Sequence, residues 1–372
     1  MLRFKLMSLT WLVPLVHASR SVPVCSSVSF QVTATADNAV FLSPPSESNE
    51  TAVLDFFYDG LANGTGAAVE GSSAVSGTYS IDGTYCHPSI SSSKTDVLEI
   101  LVHGLTYNKS IWSGLGFGSE YNWQSYAAGQ GYSTLAIDRL GHGSDQQHPD
   151  PVNIVQGTLD IELEHQLINT IRNDKSNALG RTFDTIAFVS HSYAGWLAMG
   201  LAYKYPSDIN ALVLTGFSAS VDFSPFVNTT LESATLLEPL RYGSLPLGYI
   251  TTKEGLQRKE LFYAGNYSPA VVLWDYLWQD TWTIGETGSL GFAQSPTGFT
   301  GALYLATGVD DILFCQTPLS ECETILNNTR AVFPAVTKFG YVAVENTGHV
   351  LMMHNSAQQT FADVHSFLDQ AL

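Results

Sequence analysis

Hydrophobic and polar positions follow three successive patterns along the chain. Over residues 29–40 (SFQVTATADNAV) and 77–85 (GTYSIDGTY) apolar and polar side chains alternate, the period of a strand with one buried face. The polar stretch 43–71 between them is rich in Gly, Asn and Ser and predicts a surface excursion. The N-terminal part therefore predicts an antiparallel edge. Beyond Ser93, short continuous apolar runs alternate with helix-compatible stretches. Strands are predicted at 97–102, 134–138, 185–189, 211–215, 302–307 and 339–345, and helices at 121–129, 156–173 and 357–372. Buried strands separated by helices form a mostly parallel sheet with helices on both faces. With the two N-terminal strands the sheet is expected to have eight.

Between 221 and 300 this alternation breaks into Pro-, Gly- and aromatic-rich sequence. An insertion at this point sits over the carboxyl ends of the strands, where sheets of this kind bind ligands. It is expected to be a lid on a core formed by 19–220 and 301–372. Trp274, Trp278 and Trp282 are spaced four apart, which puts their indoles on one face if the segment is helical. They are expected to line the substrate pocket.

Composition narrows the picture. Hydrophobic residues at 45% and charged residues at 13% fit a packed globule, and 16 basic against 34 acidic residues give a net charge of −18. A surface of that sign repels nucleic acid and anionic membranes, so the expected partner is a small molecule, with no stable membrane insertion. Residues 1–18 place Arg3 and Lys5 before an apolar run and end in Val16-His17-Ala18, the order of a secretory signal peptide. The run is too short to span a membrane and is broken by Pro14. Export also fits the glycosylation sequons at Asn49, Asn63, Asn108, Asn228, Asn266 and Asn327, several of them in loop-like context. The four cysteines, Cys25, Cys86, Cys315 and Cys322, read as two disulfides in an exported chain. Of the possible pairings, the closeness of Cys315 and Cys322 favours joining those two, leaving Cys25 with Cys86. No metal-binding spacing accompanies them, so no metal is expected.

The chemistry concentrates where strands end. The apolar run 185–189 meets Ser190-His191-Ser192-Tyr193-Ala194-Gly195 and a helix-compatible stretch. Strand, tight turn and helix are the layout of a nucleophile elbow, although Ser190 and Ala194 replace the glycines of G-x-S-x-G. A serine hydroxyl needs an imidazole to take its proton, and the imidazole needs a carboxylate to hold its tautomer. Ser192, an acid at Asp310 or Asp311 after the next-to-last strand, and His349 after the last occur in the order used by α/β-hydrolases. His354 is the runner-up base, displaced from the strand end. An oxyanion needs backbone N–H donors, one of them expected from Tyr193. His103, His142 and His191 read as structural. The run GLGFG at 114–118 follows no strand and precedes no Lys-Ser/Thr, so it is not a phosphate loop, and no cofactor is expected.

LVHGLTYNKSIW (101–112), DRLGHGSD (138–145), VSHSYAG (189–195), TGVDDILFC (307–315) and ENTGHVLMMH (345–354), with GTYSIDGTYCHP (77–88), together resemble a secreted fungal α/β-hydrolase of the AB-hydrolase-1 type. The resemblance implies the α/β-hydrolase fold. It favours Asp311 as the acid and, through the His103-Gly104 turn, Leu105 as the second oxyanion donor, with Thr106 or Tyr107 as further candidates. The activity it implies is a serine hydrolase acting on an ester or lactone of a small to medium apolar molecule. The alternative is a secondary-metabolite enzyme that uses the same site for condensation, cyclisation or rearrangement.

Overall fold

The computed structural model describes residues 21–62, 66–143, 147–292, 295–315 and 318–372. The expected signal segment 1–18 and the sequon residue Asn63 lie outside them. The first two strands are longer than their alternating cores predict. β1 (Pro23–Phe41) and β2 (Val69–Pro88) form an antiparallel hairpin of continuous register up to Val40. Phe30, Val32, Ala34 and Ala36 face inward, every second residue, and the polar residues between them face water. Between these strands the expected excursion instead holds a helix, α1 (Glu50–Ala62). Val53, Phe57 and Leu61 recur every fourth residue and are buried, a stripe that the surrounding Gly, Ser and Asn obscure.

The remaining core strands are β3 (Val97–Val102), β4 (Ser133–Ile137), β5 (Thr185–His191) and β6 (Ala211–Thr215). The helices among and after them are α2 (Trp123–Gln130), α3 (Gly157–Asn173) and α4 (Ala194–Lys204). Then come α5 (Ser224–Val227), β7 (Leu231–Ser233), α6 (Ala234–Leu237), α7 (Pro239–Tyr242), β8 (Tyr249–Thr252) and α8 (Gly255–Phe262). α9 (Pro269–Trp278), β9 (Trp282–Thr283) and α10 (Ile284–Gly288) complete the 221–300 segment. The chain closes with β10 (Ala302–Gly308), α11 (Leu319–Thr329), β11 (Lys338–Val344) and α12 (Ala357–Ala371).

Eight strands form one sheet in the order β1-β2-β4-β3-β5-β6-β10-β11. β2 joins β4 antiparallel, and every pairing from β4 to β11 is parallel. This is the α/β-hydrolase fold. β5, β6 and β10 read as largely apolar runs because α4 packs on β5 and β6, and α12 on β6 and β10. Cys25 and Cys86 are opposite one another in the β1–β2 register and form a disulfide; Cys315 is joined to Cys322 at the start of α11.

Within 221–300, β7, β8 and β9 form a small antiparallel sheet. The tryptophan stripe does not form. α9 stops at Trp278, Gln279 turns to extended ψ, and Trp282 falls on β9. Among the described residues no helix is long and apolar enough to cross a membrane.

Candidate active site

Ser192 sits between β5 and α4 with φ at 54°, the left-handed region that a side chain adopts only under constraint. The constraint is visible. The Ser192 N–H donates to the Thr215 carbonyl at 3.0 Å, and its own carbonyl accepts the Gly195 N–H at 2.7 Å. Ser190 and Ala194, in place of two glycines, are fully buried, so a small side chain is tolerated at both. The requirement for glycine has moved. A Cβ on Gly195 would lie 2.4 Å from Phe217 Cδ2, and one on Gly104 would lie 2.9 Å from Ser192 Cβ.

Three side chains from three strand ends meet here. His349 Nε2 is 2.8 Å from Ser192 Oγ, and His349 Nδ1 is 2.8 Å from Asp311 Oδ2. The other Asp311 oxygen accepts the N–H groups of Leu313 (2.9 Å) and Phe314 (3.2 Å), which fixes the carboxylate plane. The neighbouring Asp310 is half-buried, with its backbone N–H on the Thr347 carbonyl at 3.0 Å. The His349 ring is sandwiched by Phe262 and Phe314, with centroids at 5.6 and 5.7 Å. His354 braces the same turn, its Nε2 accepting the Gly348 N–H at 3.0 Å and its Nδ1 lying 2.8 Å from the Val350 carbonyl.

His191 stands 4.9 Å from the His349 ring, centroid to centroid. Burial, then the charge of His349, pushes its pKa well below the ordinary imidazole value, so it is neutral beside the site. Burial and then Arg139 do the same to His103, whose Nε2 accepts the Arg139 N–H at 3.1 Å.

Leu105 and Ser192 share a cavity of about 10 Å³, lined further by Trp196, Phe223, Phe226, Trp282 and Phe314. That is room for about one water, and the walls are almost wholly apolar. Of the three tryptophans expected to line a pocket, only Trp282 is at this cavity. Trp274 is half-buried with its Nε1–H on the Leu115 carbonyl at 2.9 Å. Trp278 is half-exposed on a separate cavity of about 730 Å³ beside Lys109 and Arg241. The end of the helix at Trp278 accounts for the separation. Thr106, a further oxyanion candidate, spends its N–H on the Thr281 carbonyl at 3.1 Å.

Sequence reasoning missed a group of buried charges. Arg139, from the Asp-Arg-Leu-Gly-His-Gly turn, donates from Nε to the His103 carbonyl at 3.1 Å and lies over the Tyr193 ring at 4.9 Å. Its charge is balanced by Asp160 at 3.0 Å and by Glu286. Burial of Glu286 opposes its ionisation, yet Arg139 and then His142 hold its pKa down at about 2. Arg258 and Asp275 form a second fully buried pair at 2.7 Å. No spacing announces these pairs, because their members come from distant segments. The only signal was Arg139 inside a motif already singled out. Among the described residues, no group of three or more His, Cys, Asp or Glu is placed to hold a metal ion.

A sheet of this order, with a serine held in a left-handed turn at the end of its central strand, defines an α/β-hydrolase. The comparison with known families agrees: residues 100–364 match the model of the alpha/beta hydrolase family, and the chain belongs to it. No curated protein matches the sequence. Among solved structures it is similar to a thermophilic esterase from Thermogutta terrifontis, with a TM-score of 0.51, 15% identity and coverage of 82% of this chain and 97% of that one. It is also similar to an epoxide hydrolase from Vigna radiata, with a TM-score of 0.52, 13% identity and coverage of 78% and 95%. At such identities the likeness is one of fold.

Proposed function

We propose that this protein is a secreted serine hydrolase that cleaves an ester or lactone of a small to medium apolar molecule through an acyl-enzyme on Ser192. The observation that carries the reading is the unbroken line from Asp311 Oδ2 through both His349 nitrogens to Ser192 Oγ, with 2.8 Å at each step. His349 takes the Ser192 proton as Oγ attacks the carbonyl carbon, then delivers it to the departing alcohol oxygen. Asp311 holds the Nδ1–H tautomer and steadies the imidazolium. The N–H groups of Leu105 and Tyr193 receive the oxyanion, each typically contributing about 3 kcal/mol. Water, activated by the same His349, then releases the acid. The apolar walls around Ser192 favour an apolar acyl or alcohol group. A serine at 192 argues against the epoxide chemistry of the Vigna radiata neighbour, because an aspartate nucleophile would be needed there.

Export is supported by the two disulfides. Glycans are proposed at Asn49, Asn228, Asn266 and Asn327, all exposed. Half-buried Asn108 places its amide nitrogen 2.7 Å from Asp280 Oδ2 and is left out of that proposal.

The test is labelling with a fluorophosphonate probe, followed by peptide mapping and 4-nitrophenyl ester assays. Label on Ser192, with Ser192→Ala losing at least about a thousandfold in kcat and keeping its Tm, is the expected result. Unchanged turnover in that variant would sink the serine mechanism. A folded protein that neither labels nor hydrolyses would fit condensation, cyclisation or rearrangement instead.

A further inference from the structure

The turn that carries Leu105 is held from both sides by buried guanidinium groups. On one side Arg139 reaches the His103 carbonyl at 3.1 Å and lies 3.5 Å from the Gly104 carbonyl. On the other, Arg258 donates from Nη1 to Thr106 Oγ1 at 3.0 Å, and its Nη2 lies 3.4 Å from the Thr106 carbonyl. Thr106 itself has φ at 60°, a left-handed conformation that a β-branched residue keeps only when its surroundings impose it. That conformation, with the Thr106 N–H on the Thr281 carbonyl at 3.1 Å, fixes the Leu105–Thr106 peptide, directly after the Gly104–Leu105 peptide that carries the Leu105 N–H.

Arg258 is fully buried on α8 and therefore needs a counter-charge. Asp275 on α9 supplies it at 2.7 Å and uses its second oxygen to accept the hydroxyls of Tyr107 (2.9 Å) and Tyr263 (2.8 Å). The guanidinium also lies over the rings of Tyr107 and Phe262, at 4.7 and 5.0 Å. One pair from the 221–300 segment thus grips the residue after Leu105 by side chain and main chain together.

We propose that Arg258, held by Asp275, is a positioning residue for the oxyanion turn, fixing Thr106 so that the Leu105 N–H meets the developing negative charge. The proposal rests on the serine-hydrolase reading of Ser192. It makes α8 and α9 a fixed part of the site, bound to the turn through charge.

The test uses the full-length protein with Arg258→Met/Asp275→Asn, which removes both charges together and leaves an amide oxygen for the two tyrosine hydroxyls. Joint neutralisation of a buried pair is far gentler on folding than deleting one partner. Expected are an unchanged circular dichroism spectrum, a KM for a 4-nitrophenyl ester within about twofold, and a kcat lowered about 10- to 100-fold. Affinity for a phenylboronic acid, which mimics the tetrahedral adduct, should fall by the same factor, and the acid limb of the pH profile should not move. Arg258→Lys, which keeps the charge but loses the fork, should lie between the two and gives the same measurements if the double variant does not fold. A folded variant with kcat within about twofold of the parent overturns the positioning role, as does one that loses kcat but binds the boronic acid undiminished. Absence of fluorophosphonate label on Ser192 in the parent overturns the serine reading and this proposal with it, so the two failures are told apart.

Discussion

Asp310 and Asp311 are adjacent, yet the turn after β10 sends them to different surroundings. Asp311 faces His349 Nδ1 with its carboxylate plane fixed by two backbone N–H groups, whereas Asp310 remains half-buried at the turn. Asp311→Asn should therefore lower kcat by roughly 10⁴-fold while the fold is kept, and Asp310→Asn should leave kcat within about twofold. Steady-state kinetics on the two purified variants checks both, and equal losses would contradict the assigned geometry. At this scale the sequence was informative about residues that follow strands directly. Ser192, His349 and the pair Asp310 and Asp311 each follow an apolar run that stops, and only the family resemblance favoured Asp311 within the pair. Arg258 and Asp275 are not announced in this way, because they lie on two helices of an irregular stretch and meet only once α8 packs on α9.

Elements were legible in proportion to the length of their periodicity. The strands at 97–102 and 211–215 coincide with β3 and β6, since an apolar run between polar breaks leaves little choice. α1 was lost among turn-forming residues, and the tryptophan spacing misled because four-residue spacing constrains geometry only while the helix lasts. The join of β5 to α4 tells the same story. The pattern G-x-S-x-G draws attention to positions 190 and 194, but the close approach that excludes a side chain falls at Gly195, against Phe217. Gly195→Ala should cost about 1–3 kcal/mol, the usual range for overpacking a tight core, read as a lowered denaturant midpoint. A midpoint at or above the parent's would mean that Phe217 yields freely.

For the whole molecule, the eight strands of the main sheet could be read from the chain, but their lateral order β1-β2-β4-β3-β5-β6-β10-β11 and the small β7-β8-β9 sheet could not, because periodicity says which residues are buried and not which strand lies alongside. One long-range pair gives the molecule a pH signature. His365 on α12 lies 2.9 Å from Glu99 on β3. Burial opposes its charge, but the Glu99 carboxylate outweighs burial and raises its pKa above 6.5. A raised histidine contributes stability that is complete below the unfolded value, about 6.5, and is lost as pH climbs through the folded one. The denaturant midpoint should decline on that alkaline side, and His365→Gln should flatten this part of the curve. An identical slope in the variant would assign the decline to other groups.

The cavity at Ser192, about 10 Å³, is far smaller than any ester that would react there. On the proposed serine-hydrolase reading, an ester could enter only if Phe223, Phe226 or their neighbours swung aside, in a fraction of the molecules. Apparent affinity becomes the intrinsic affinity scaled by that fraction. Phe223→Ala should therefore lower KM for bulky 4-nitrophenyl esters, and an unchanged KM in steady-state kinetics would mean that Phe223 does not obstruct entry.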